Sequence, residues 1–185
     1  MKKLLRLLVL VCTLLAGGLA HAQRPLGKPN AFKNCNALVI ETTDDPAQAT
    51  ARLVQLLEAN NYQVEMQKAG TIATRLLARQ ADAGPGGSQL IFQFMVTNDN
   101  ELLRYDKRHG NTTVIRLTGY QRTPGQKIVT RISNEYSEAM SATWATEQRL
   151  AAAYPNPAAT LWYDKDDSYS SGEMKLRTEL SKSSF

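Results

Sequence analysis

The chain has 185 residues, 22 Lys+Arg against 17 Asp+Glu and a formal net charge of +5, with two cysteines and two histidines. The positive residues are scattered rather than clustered, which argues against a nucleic-acid-binding surface. So few thiols and imidazoles also leave little material for a metal site or a disulfide framework.

Residues 1–22 have the three parts of a secretory signal. Met1-Lys2-Lys3-Leu4-Leu5-Arg6 is basic, Leu7 to Leu15 is apolar, and Ala20-His21-Ala22 puts small residues at −3 and −1 of a cleavage site before Gln23. The apolar run is shorter than the roughly 20 residues a spanning helix needs. Val9-Leu10-Val11 ahead of Cys12 is too bulky for lipid attachment there. The expected mature chain of 163 residues loses Lys2, Lys3 and Arg6, so 19 basic residues face 17 acidic ones and the net charge falls to +2. It also loses Cys12 and His21, leaving Cys35 and His109. One thiol closes no internal disulfide, so a hydrophobic core must hold the fold. The expected location is the periplasm or the medium, with no transmembrane anchor in the mature chain.

Residues 23–34, with Pro25, Gly27 and Pro29, read as a flexible lead-in to a single domain over 35–163. Ala37-Leu38-Val39-Ile40-Glu41-Thr42 predicts a strand. A helix over 46–60 follows from Asp45 as N-cap, Pro46 at the first helical position and Gln48 where a capping box places Glu or Gln. Leu53, Val54 and Leu57 supply its apolar face, and Asn60-Asn61 tolerate the left-handed backbone of a helix end. Tyr62, Val64 and Met66 alternate with polar residues as a half-exposed strand, and Lys68-Ala69-Gly70 reads as a turn. Further strands are predicted over 71–76, 90–97 and 112–120, with an open loop at Ala83 to Ser88. Residues 101–108 suit strand and short helix equally. A second helix is predicted from Ser133 to Tyr154, stopped by Pro155-Asn156-Pro157. Leu161-Trp162-Tyr163 is a short apolar patch, and 164–185 reads as a polar, disordered tail. The order predicts an α+β fold: an antiparallel sheet of about four to five strands, with a strand-helix-strand-strand-strand core and a second C-terminal helix.

Few residues offer chemistry. His109 falls in a turn, Lys107 to Asn111, with no cluster of ligands around it, so no metal site is expected. Cys35 could act as a nucleophile with His109 as base, but no local signature accompanies it and a structural thiol is the plainer reading. Gly84-Pro85-Gly86-Gly87 leads into a strand without a following Lys, unlike a phosphate loop. Asp44-Asp45 are accounted for by helix capping. Asp164, Asp166 and Asp167 read as solvated charge, without the spacing of a calcium loop. Asn111-Thr112-Thr113 fits the N-glycosylation pattern, which matters only in a host that performs it. Trp144, Tyr154, Trp162 and Tyr163 gather late in the chain. They form either an apolar seam over the sheet or a partner-binding patch, since Trp and Tyr are common interface anchors. No catalytic residue and no cofactor is assigned.

The stretch Ala37 to Thr74, with ALVIETTDDP, ANNYQVEMQ and AGTIATR, resembles small bacterial envelope modules such as the domains of the outer-membrane assembly lipoprotein C. The resemblance covers under 40 residues and implies one helix against an antiparallel sheet. It also implies a non-catalytic scaffold or interaction module whose partner is an envelope protein or membrane-associated component. The chain departs from those modules in lacking a lipid-attachment cysteine. Two other readings stand beside it: a small periplasmic hydrolase, and a carrier of an apolar ligand held between sheet and helices.

Overall fold

The computed structural model describes residues 27–69, 73–80, 88–98, 112–125, 129–132 and 138–165. The signal segment, the glycine loop, residues 101–108, His109, Asn111 and the tail from Asp166 on lie outside the described residues. Alternating apolar residues draw the chain into one antiparallel sheet. Its strands are β1 (Ala37–Thr42), β2 (Tyr62–Ala69), β3 (Ala73–Gln80), β4 (Gln89–Asn98), β5 (Thr113–Arg122), β6 (Val129–Arg131) and β7 (Thr160–Asp164). Helix α1 (Pro46–Ala59) follows β1, and α2 (Glu138–Ala152) precedes β7.

The strand order is β2-β3-β4-β5-β1-β7, and β6 pairs with the far end of β5 at Tyr120 to Arg122. Because every pairing is antiparallel, β1 and β2 run the same way, and α1 carries the chain between them past three strands. Helix α2 performs the second crossing, from β6 beside β5 to β7 on the outer side of β1. Helix α1 packs on β2, β3 and β4, and α2 on β5 and β1, so the two helices share one face of the sheet. Between them and the sheet lies the core. Leu38, Ile40, Phe92, Phe94, Ile115 and Leu117 rise from the strands to meet Leu53 and Leu57 of α1 and Trp144 and Leu150 of α2.

Helix α1 starts as the residue types dictate. Asp45 Oδ1 accepts hydrogen bonds from the backbone N–H of Ala47 (2.9 Å) and Gln48 (2.8 Å), satisfying donors that the first turn otherwise leaves open. At its end Asn61 takes a positive φ of 61°. The turn it makes sends the chain straight into β2.

The expected α+β antiparallel architecture is present, with more strands than the four to five predicted. Strand β6 has only three residues, too few for an alternation to register. Strand β7 is the apolar patch Leu161-Trp162-Tyr163, recruited to the open side of β1 with Leu38 opposite Tyr163 and Val39 opposite Trp162. Strand β2 runs through Lys68 and Ala69, where a turn was predicted. Two assignments at the domain margins also change. From Gly27 on, the lead-in is tied down: Lys28 and Tyr163 exchange backbone hydrogen bonds of 2.8 Å along the outer edge of β7. Asp164 belongs to β7 rather than to the tail, and its carboxylate meets Arg116 at 2.8 Å.

Glycine is required where α2 crosses β5. A Cβ on Gly119 would stand 2.6 Å from the Glu147 carboxylate and 3.0 Å from Ile132 Cδ1. Glu147 and Ile132 are both fully buried, so neither can swing into solvent to make room. Gly119→Ala is expected to lower stability by about 1–3 kcal/mol through overpacking, read as a reduced denaturation midpoint with an unchanged m-value.

Candidate interaction face

The four late aromatic residues do not form one patch. Trp144 (5% exposed) and Tyr154 (6%) are sunk in the core under α2. Tyr163, half-buried, packs against the same core and its hydroxyl accepts a hydrogen bond from Gln148 Nε2 at 3.2 Å. Trp162, one residue earlier on the same strand, must point to the opposite side of the sheet. There its indole Nε1 donates to Glu41 Oε2 at 3.3 Å. Cys35 is fully buried in the core, a position suited to packing and not to the accessible thiolate that nucleophilic chemistry needs. Among the described residues no three His, Cys, Asp or Glu side chains gather closely enough to hold a metal ion. No helix among them is long and apolar enough to cross a membrane.

Asp44 does something its neighbour's capping role concealed. It is buried at the junction of β1 and α1, where Tyr154 OH donates to Oδ2 at 2.6 Å and Thr42 Oγ1 donates at 3.2 Å. Asn156 Nδ2 donates in turn to Thr42 Oγ1 at 2.9 Å. Arg52 of α1 reaches the other oxygen at 3.6 Å and donates through Nη1 to the carbonyl of Pro155 at 2.7 Å. The cluster therefore ties the end of β1, the first half of α1 and the chain leaving α2. Burial pushes the Asp44 carboxyl up, but the hydrogen bonds from Tyr154, Asn156 and Thr42 and the Arg52 charge outweigh it and hold it below its usual 3.8. Burial, and then the Asp44 carboxylate, push the Tyr154 phenol above its usual 10.0.

The surface that stands out lies on the face of the sheet opposite α1 and α2. Successive strand registers align Gln67 with Arg75, Arg75 with Met95, Met95 with Arg116, Arg116 with Val39, and Val39 with Trp162. This one transverse row draws a residue from each of β2, β3, β4, β5, β1 and β7. At about 4.8 Å per strand spacing it runs about 24 Å across the sheet. All but Val39 are partly exposed. Ion pairs fix its flanks: Arg116 with Asp164, and Arg79 with Glu65 at 2.6 Å. In the neighbouring row Gln93 Oε1 is buried and accepts no hydrogen bond. A small apolar cluster of Leu77, Ile91 and Tyr120 lies farther along the same face. Of the residues singled out from the sequence, only Trp162 is in the row. The alternation of each strand marks its polar side, but nothing local says which strands adjoin.

A scan against protein-family models finds no match to this chain, and a search of curated proteins finds none either.

The Asp44 cluster gives stability a defined pH window. A carboxyl depressed by folding stabilises the native state above its ordinary value of 3.8, and that contribution is lost as pH falls through the native one. A phenol raised by folding stabilises below 10.0, and its contribution is lost at higher pH. Tyr154→Phe strips the buried carboxylate of its shortest hydrogen bond and is expected to cost about 1–3 kcal/mol at neutral pH. Denaturant unfolding across pH 3 to 11 should show the variant's stability changing less than the parent's on the alkaline side above 10.0.

Proposed function

We propose that this chain is an exported, non-enzymatic interaction or scaffold module of the bacterial envelope, and that the face of its sheet opposite α1 and α2 is where it meets its partner. The transverse row carries the reading. It sets two arginines, a methionine and a tryptophan side by side on a rigid antiparallel sheet, and these are residue types enriched in protein interfaces. The aliphatic stems and rings offer area to bury, while Glu41 and Asp164 hold Trp162 and Arg116 in place before any partner arrives. The export reading rests on residues 1–22, and the scaffold reading draws on the likeness of Ala37 to Thr74 to envelope modules. The space between sheet and helices is occupied by Phe92, Phe94 and Trp144, which supports an exterior surface over an internal site for an apolar ligand.

Cell fractionation with intact-mass analysis tests export: a form beginning at Gln23 is expected outside the cytoplasm, and an uncut cytoplasmic chain would remove that part of the reading. A photo-crosslinker at Met95 in the producing cell tests the face. One discrete adduct is expected, weakened several-fold by Arg116→Glu, whose ion-pair partner Asp164 would then repel it. Equal labelling in both variants, or none, would mean that this face is not the docking surface.

A further inference from the structure

The two edges of the sheet are treated differently. The outer edge of β7 is bridged by Lys28. Strand β2 pairs with β3 in unbroken register from Tyr62↔Gln80 to Ala69↔Ala73, with no bulge, and pairs with nothing else among the described residues. It contains no proline. A long, regular edge of this kind presents unspent N–H and C=O groups and is a template for another strand. At its middle sits Met66, 65% exposed, which is the exposed large hydrophobic side chain among the described residues.

We infer that β2 is a self-association edge, on which two copies of this chain pair antiparallel about a twofold axis at Met66. The sequence of the strand selects that register. Antiparallel pairing sets residues of the same face opposite one another. An axis at Met66 places Met66 against Met66 of the second copy, Glu65 against Gln67, Val64 against Lys68, and Gln63 against Ala69. Each charged side chain then meets an uncharged one, and Lys68 lays its methylene stem along Val64. An axis at Glu65 would set two carboxylates directly opposite, which is destabilising. Axes farther toward either end pair shorter stretches. The second copy is the occupant because one edge supplies both halves of the match, and isologous dimers need only one self-complementary patch. A seven-residue strand pairing buries an area at the low end of specific interfaces, so the dimer is weak and concentration-dependent.

Disulfide trapping tests the axis. Met66→Cys is expected to give a covalent dimer under mild oxidation, because the two thiols face each other across the axis. Gln63→Cys is the control, since its two copies lie six residues apart along the strands, about 20 Å. Native Cys35 is fully buried and leaves the introduced thiol accessible. In sedimentation velocity the parent should show a sedimentation coefficient that rises with concentration. Met66→Lys should shift dimerisation at least tenfold to higher concentration, with unchanged circular dichroism and melting temperature. A parent monomeric at the highest concentration reached, or a Met66→Cys that traps no more than Gln63→Cys, overturns the inference. So does a dimer that Met66→Lys leaves intact, because it would use another surface.

Discussion

Strand β1 is the constraint on which the fold depends. Ala37, Leu38, Val39 and Ile40 are all buried, so this six-residue strand must sit inside the sheet, paired on both sides. Its partners, however, come much later in the chain: Leu38 lies opposite Leu117 on one side and Tyr163 on the other. The chain solves this with two crossings over the same face. Helix α1 leaves β1 for the far edge, where β2 begins the antiparallel run back to β5, and α2 passes over β1 so that β7 can close it. Such long-range pairing carries a large loop-closure cost and favours slow folding.

The Asp44 cluster lies where those two crossings meet. A buried carboxylate is costly unless it is fully hydrogen-bonded, and here the donors come from β1, α1 and the segment after α2. The group therefore acts as a check on assembly: it is satisfied only when both helices are seated. Gly119 and Glu147 make a comparable fit within the same half of α2, where the buried Glu147 carboxylate and Ile132 fill the space a Cβ would need.

Much of this was legible in the residues. Asp45, Pro46 and the Leu53/Leu57 spacing mark α1 because capping and helical periodicity are local. Strand β1 shows through its continuous β-branched apolar run, and β2, β4 and β5 through their alternation. The second half of β3 was missed because Arg75, Arg79 and Gln80 break up its apolar residues, and β7 because Pro155 and Pro157 make its approach look like the end of the domain. The role of Asp44 depends on Tyr154, 110 residues away, so an adjacent Asp with a ready local explanation hid it. The transverse row was beyond reach for a related reason. Each of its members is an ordinary polar or apolar position on its own strand, and only the strand order brings Arg75, Met95 and Arg116 abreast.

The Lys28–Tyr163 bridge has a geometric consequence. It brings Gly27 beside the last residues of β7, so both ends of the described chain emerge at the same margin of the sheet. That margin is about five strand spacings, roughly 24 Å, from β2. Among the described residues, the points of entry and exit thus lie on one flank and β2 on the other. A pull applied at Gly27 and Lys165 would therefore load β7 and its neighbour β1 before any other part of the sheet.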